Sequence, residues 1–295
     1  MFIKNITAYR INATILPTNE QLSQLKFSEC HPTQAQSYGW VSPINSPEES
    51  LVYLSENFLV LKAKKQTKKI PTPNLSEEVN KRITEFETRE SRFLSKPEKA
   101  AIKDQVTTDL LPRVFPKDSY QTLIYFPKLQ ILVTDQNHNN SEELLSLLRK
   151  TLGNLSAVPA SFKQYPSNVL TEWLKDRGEV PTGVELLDGV KLCDEMETSV
   201  SMTTKHLDLD SETVKEALKA NFVVDQLAVE IPDVLTAAAH FDGRLTKVRW
   251  DGSVTDANSE YEKENRPEQD LNLVALTLME FLPKWFDYFG GLDLD

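Results

Sequence analysis

Between Lys62 and Lys117 stand 14 of the chain's 33 lysines and arginines, against 8 acidic residues. The rest of the 295-residue chain is left with 19 basic and 36 acidic residues, and the whole has a net charge of −11. An acidic protein that gathers its cations into one segment separates two tasks: one surface attracts a polyanion while the remainder keeps the molecule dissolved. The same residues also fit a blander arrangement, a solvated helical excursion whose charges form ordinary ion pairs. Covalent chemistry has less support. Neither G-x-x-x-x-G-K-[ST] nor G-x-G-x-x-G occurs, which argues against a nucleotide-driven motor. His31, His138, His206 and His240 are scattered without metal-ligand spacing, and Cys30 and Cys193 lie far apart. Cys30-His31 reads as a loop coincidence, since a nucleophile–base pair needs a third orienting group. Asp208-Leu209-Asp210 offers oxygen ligands, but it stands just before an expected helix, where acidic residues suit the N-terminal dipole anyway. No catalytic residue, metal or cofactor is expected, and the protein is read as a non-enzyme.

The elements that must position the cations can be traced along the chain. Phe2 to Leu16 alternates like a strand, and Thr18 caps a short helix over Glu20 to Lys26. Gly39-Trp40 reads as a turn followed by a core aromatic. Asn57 to Lys65 is a strand whose basic end opens the positive segment, and Pro71 and Pro73 break it. From Leu75, with Ser76 as a weak cap, the positions Leu75, Val79, Ile83, Phe86 and Phe93 keep a helical period. Arg82, Arg89, Arg92 and Lys96 form a stripe beside that seam, with Glu78 and Glu85 four residues before Arg82 and Arg89, a spacing that suits helical ion pairs. A second helix starts at Pro97 and runs through Ile102 and Val106 to Leu111, so residues of about 74–111 make a helical hairpin ended by Pro112.

Tyr120 to Phe126 and Leu129 to Thr134 are expected strands, and Ser141 to Gly153 an expected helix with Glu142 and Glu143 at its start and Arg149 and Lys150 at its end. Asn154 to Asn168, with two prolines, reads as a linker between domains of residues 1–153 and 169–295. In the second half, Leu170 to Asp176 begins a helix and Val184 to Cys193 and Ser199 to Lys205 are strands. Ser211 to Asn221 is a helix. A meander follows through Phe222 to Ile231, Leu235 to Phe241 and Leu245 to Trp250, with Asp242-Gly243 as its hairpin signal. The alanines of the middle strand also suit a helix. Leu271, Val274, Leu278, Phe281, Leu282, Trp285 and Phe289 make a helical apolar face, for core packing or subunit contact. No apolar run approaches the roughly 20 residues that cross a bilayer. The N-terminus lacks signal-peptide features, and two cysteines suggest no disulfide framework, so a reduced, cytoplasmic setting is the expectation.

Leu110-Leu111-Pro112-Arg113-Val114-Phe115, preceded by Lys99 to Asp104, resembles the RdgC family of bacterial recombination-associated proteins. So do Gly39-Trp40-Val41, Lys69-Ile70-Pro71, Leu147 to Gly153, Leu170 to Trp173 and Leu186-Leu187-Asp188, all in one order along the chain. The resemblance implies a non-enzymatic, sequence-independent binder of double-stranded DNA. It implies a ring-shaped homodimer with a positively lined hole, which restrains RecA-dependent recombination and is nucleoid-associated. The fold expected is α+β: two sheet-and-helix domains, the first bearing an inserted basic helical hairpin.

Binding that ignores sequence needs lysines and arginines at phosphates and no bidentate base readers. Arg89, Arg92, Lys96, Lys99 and Lys103 on the hairpin are the first candidates, with Arg82 on the same stripe and Lys68 and Lys69 at its root. Arg113 either contacts DNA or anchors the turn. Phe115, between two prolines, is either a subunit-contact aromatic or the first core residue of the next strand. In the second half the resemblance implies a basic patch over Thr203 to Asp208, where Lys205 remains but His206 and Leu207 follow it. The competing function is a protein-interaction module whose basic hairpin docks an acidic protein surface without touching DNA.

Overall fold

Two runs of strands, each with its own antiparallel order, account for most of the chain in a computed structural model that describes residues 2–12, 14–44, 50–205, 208–257 and 266–294. The first sheet holds β1 (Thr7–Ile11), β2 (Gln36–Val41), β3 (Val52–Leu54), β4 (Leu59–Thr67), β5 (Lys117–Phe126), β6 (Ile131–Thr134) and β7 (Ala157–Pro159). Its order is β2-β4-β5-β6-β1-β7, with β3 pairing the start of β4. The second holds β8 (Glu185–Asp194), β9 (Ser201–Lys205), β10 (Phe222–Ile231), β11 (Leu235–His240) and β12 (Leu245–Trp250), in the order β12-β11-β10-β8-β9. Eight helices accompany them among the described residues: α1 (Asn19–Ser23), α2 (Thr72–Glu90), α3 (Lys96–Leu110), α4 (His138–Leu152), α5 (Pro166–Lys175), α6 (Glu212–Lys219), α7 (Gly252–Thr255) and α8 (Arg266–Asp287). The α+β class is as expected, and the alanine-rich stretch is the strand β11.

Period-two alternation gives the first sheet two apolar faces. Tyr9, Ile11, Trp40, Leu61 and Leu123 bury against Leu144, Leu145 and Leu148 of α4. Trp40 places its indole N–H 2.8 Å from Thr151 Oγ1, which satisfies a buried donor. The opposite face, with Val60, Ile124, Phe126 and Val133, shares one core with Leu192, Val224 and Leu227 of the second sheet and with Leu278, Leu282 and Trp285 of α8. The apolar face of α8 is therefore core. Backbone bonds of 2.8 and 3.0 Å between Ile6 and Leu245 tie the two sheets together. Trp250 donates to Ile3 O at 2.9 Å and Trp285 to Gly243 O at 2.8 Å, while His138 lies 2.8 Å from Asp242.

Several local expectations differ from the fold. Regular pairing over Phe2 to Leu16 is confined to β1; ahead of it, the N–H groups of Lys4 and Asn5 donate to Asp135 Oδ1, each at 2.8 Å. Gly39 lies inside β2, not in a turn. A Cβ there would stand 2.6 Å from Phe27 N, because the Leu25–Phe27 backbone bonds on both sides of Trp40. Glycine is needed for that close approach, not for a bend. α4 starts at His138 with Asn137 as its cap, and Ser141 is a turn inside it, bonded to Thr134 at 2.6 Å. α2 starts at Thr72 directly after Pro71, so Ser76 is interior. The segment 154–168, expected as linker, contains β7, which pairs with β1, and the first residues of α5.

Candidate functional site

β4 and β5 pair continuously from Leu59↔Tyr125 to Thr67↔Lys117, so the chain leaves the sheet after Thr67 and returns at the neighbouring position. Everything between is α2, α3 and a 3-10 turn at Leu111–Arg113. α2, with 19 residues, is about 28 Å long at 1.5 Å per residue, and none of its residues is buried. The two helices hold together through a small cluster of their own, Leu94, Ile102 and Val106 with Leu75, Val79, Ile83 and Phe86 against it. Arg82 meets Asp109 at 2.7 Å and Glu87 meets Lys99 at 3.1 Å, an order of contacts that runs the helices in opposite directions.

Phe93 does not belong to this cluster; it is 89 % exposed. α2 ends at Glu90 and Ser91 takes a left-handed φ of 51°, so the helical period stops before Phe93 and Leu94 turns inward instead. Ser95 and Glu98 form a capping box that starts α3. Arg92 lies 2.6 Å from Glu98, and this bond, with those from Ser95, pulls the Glu98 carboxyl down to about 2.

The expected cations fall into three groups. Arg82, Arg92 and Lys99 are engaged within the helical pair: Arg82 with Glu78 and Asp109, Arg92 with Glu98 and Glu90, Lys99 with Glu87. Arg89 lies over the Phe86 ring at 4.4 Å and 3.8 Å from Glu90, not on Glu85. Lys68 is held by the carbonyls of His31 and Pro32 at 3.1 and 2.9 Å. By contrast Lys69, Lys96, Lys103 and Arg113 are exposed and make no ion pair among the described residues. Arg113 ends the 3-10 turn without a side-chain ion pair of its own among the described residues. Phe115, just beyond it, is 93 % exposed, which removes the core reading. Lys205 pairs with Gly189 through its backbone at the end of β9; its side chain, like His206 and Leu207, lies outside the described residues.

The cations at the basic end of β4, expected as a strand, were not among the candidate contacts, which followed the helical periods. Lys62 and Lys64 share a face of β4 and stand 5.0 and 5.8 Å from the Tyr120 ring, with Lys64 also 2.7 Å from Asp118. Burial pulls the Lys62 ammonium below the usual lysine range. Lys65, on the other face, bonds Glu143 of α4 at 2.6 Å. The signal was the strand alternation Lys62-Ala63-Lys64-Lys65 itself.

No group of three or more His, Cys, Asp or Glu able to hold a metal occurs among the described residues. Asp208 accepts the N–H of Asp210 at 2.8 Å, and Asp210 pairs with Arg177 at 3.3 Å, so that acidic pair builds a turn. Cys30 and Cys193 are unbridged. No helix among the described residues is long and apolar enough to cross a membrane.

Comparison with known proteins matches residues 1–292 to a family model described as "Putative exonuclease, RdgC". A protein of Actinobacillus pleuropneumoniae serotype 7 (strain AP76) named Recombination-associated protein RdgC is 32% identical over 99% of this chain and 98% of its own. Proteins of the same name from Proteus mirabilis (strain HI4320) and Shewanella sp. (strain W3-18-1) are each 29% identical over 99% of both chains.

Proposed function

The chain belongs to the RdgC family, and from that membership we propose that it is a recombination-associated protein that binds double-stranded DNA without sequence preference. The observation that carries the reading is that the expected cations Lys69, Lys96, Lys103 and Arg113 are exposed and make no ion pair among the described residues, as is also true of Lys81 and Lys117, so that free positive charge is spread over the helical pair and its root. Phosphate oxygens are the partners such residues take most readily, and contacts to phosphates fix position without reading bases. α2 and α3 act as an inserted hairpin that reaches out from the first sheet along the duplex. Arg82, Arg92 and Lys99 hold that hairpin in shape through their carboxylate partners and contribute less to binding.

Two copies close into a ring around the duplex, with the exposed Phe115 packing against the partner copy. Occupied duplex is then withheld from the RecA recombinase, which makes the protein a restraint on recombination, with the nucleoid of the cytoplasm as its place of work. It acts without catalysis, cofactor or metal. The family model's description names an exonuclease, which makes nuclease activity the second reading. End-labelled duplex incubated with Mg²⁺ or Mn²⁺ separates the two: intact label supports the binding protein, and progressive loss of terminal nucleotides supports the nuclease.

RecA-driven strand exchange on duplex preincubated with the protein tests the role directly. Exchange should slow in proportion to duplex occupancy; unchanged exchange on saturated duplex would contradict it. Docking of the hairpin on an acidic protein is distinguished by competition, since bare duplex displaces the partner only if both use the same cations.

A further inference from the structure

Where the two sheets meet, β1, the end of β7, the β11–β12 hairpin and α8 enclose a cavity of about 290 Å³. Its walls are largely apolar, with Ala8, Ala160, Phe162, Leu282 and Phe286 among them. Phe162 packs on Phe289 and Phe286, with ring centroids 5.2 and 5.7 Å away. Gly243 lets that ring come close, since a Cβ there would stand 2.5 Å from it. At the rim, Phe241 is 48 % exposed, an aromatic side chain left half in water beside an apolar hollow. An apolar cavity of about 150 Å³ takes benzene, so this one has room for roughly ten to twelve non-hydrogen atoms.

The cavity also has polar side chains, and all but one of them are spent on partners. Thr7 Oγ1 donates to Gln136 O at 2.7 Å, and Trp285 Nε1 to Gly243 O at 2.8 Å. His138 Nε2 lies 2.8 Å from Asp242 Oδ2. Asp242 Oδ1 accepts the Arg244 backbone N–H at 3.3 Å and stands 3.3 Å from Arg244 Nε. That last contact is an ion pair without hydrogen-bond alignment: Nε is a buried donor with no hydrogen-bond partner among the described residues. The rest of the guanidinium makes no hydrogen bond among the described residues either. Buried donors are paired as a rule, so an orphan one beside a cavity calls for an explanation. A guanidinium offers five donors in a planar fork, which takes a carboxylate through two parallel bonds. Asp242 is the one acid lining the cavity, and both its oxygens are engaged. It would oppose a phosphate dianion with twice the charge that a carboxylate brings.

We propose that this cavity binds a small carboxylate with an apolar body, the carboxylate on Arg244 and the body against Phe162, Leu282 and Phe286. Asp242 and His138 are positioning residues that hold the arginine in place. β1 supplies one part of the wall and α8 another, so an occupied cavity ties the two sheets together more firmly than an empty one. The site stands apart from the duplex reading, since none of its residues is among the cations assigned to phosphates above.

The test is calorimetric titration of the full-length chain with octanoate and phenylbutyrate, an alkyl and an aryl acid of suitable size, and with octanol as the uncharged analogue. One saturable site per chain is expected for at least one acid, and that acid should raise the melting temperature. Octanoate should bind about tenfold or more tightly than octanol, as a charge-assisted hydrogen bond implies. Arg244→Gln should bring octanoate down to the affinity of octanol and leave octanol unchanged, which shows that the variant keeps its cavity. Ala160→Phe, which fills the space without touching the charge, should abolish binding of all three. Octanol as tight as octanoate, or an Arg244→Gln variant that holds octanoate as the parent does, would overturn the proposal. So would the absence of binding by either acid at millimolar concentration, or octanoate binding that survives Ala160→Phe and therefore lies elsewhere. Loss of octanol together with octanoate in Arg244→Gln would make the arginine a support of the cavity wall, which also overturns it.

Discussion

Removing the unpaired cations should do what removing the paired ones does not. Lys69, Lys96, Lys103 and Arg113 are exposed and make no ion pair among the described residues, so each is available for one phosphate. Changing all four to Gln leaves four phosphates per chain without a cation, and at about 0.9 of log–log slope per phosphate the salt dependence should shrink by about 3.6 for each chain that engages the duplex. Over a fourfold salt range, 50 to 200 mM, that is roughly a hundredfold less loss of affinity than the parent shows. Arg82, Arg92 and Lys99 are already bonded to carboxylates at 2.6 to 3.1 Å. Changing these three to Gln should leave the slope within about one unit of the parent while loosening the helical pair, seen as faster amide exchange in α2 and α3. Fluorescence anisotropy across a salt series reads both variants. Equal reductions of slope from the two sets would refute the reasoning, because the internal ion pairs would then not decide which cations reach DNA.

Gly39→Ala should destabilise the fold by about 1–3 kcal/mol through overpacking, since the new Cβ would meet Phe27 N at 2.6 Å; chemical denaturation measures it. His240 is bonded to Thr246 at 2.8 Å, and burial holds its imidazole down to about 4 from 6.5. The unfolded chain takes up that proton first, so this contribution is complete above pH 6.5 and is lost as pH falls toward 4, at most about 3 kcal/mol. Denaturation midpoints of His240→Gln should therefore fall less steeply than the parent's across that window; parallel curves would count against it. Phe115→Ala should lower the dimer population seen by light scattering at micromolar protein without shifting the melting temperature, as expected for a side chain 93 % exposed in the single chain; a lowered melting temperature with unchanged mass would place Phe115 in the fold instead.

The elements with strong local periods were legible from the residues. The two helices after β4, β5, β6 and the outer strands of the meander, β10 and β12, carry their apolar repeats and turn residues in plain view, while β11 also suited a helix and the apolar face of α8 was open between core packing and subunit contact until the fold placed it in the core. What local pattern could not show was tertiary. Gly39 looked like a turn because the demand for a glycine comes from the Leu25–Phe27 backbone, which bonds to Trp40 only once the chain has folded back on β2. Phe93 fitted the helical period, but the chain leaves the helix at Ser91 two residues earlier. Arg89 was matched to Glu85 by spacing, and the Phe86 ring took it instead. At the candidate site the stripe of cations was visible while its division into paired and unpaired members was not. Asp109 and Glu87 reach their partners across the two helices, pairings that i,i+4 counting cannot supply.

The central claim is duplex binding without sequence preference, and one titration meets it most directly. Two labelled linear duplexes of unrelated sequence are titrated with the protein by anisotropy at 50, 100 and 200 mM salt, with the protein's own concentration series repeated for each. The account predicts saturable binding, equal for the two sequences and falling steeply with salt. Binding confined to one sequence, or no binding to either at the lowest salt, would contradict it.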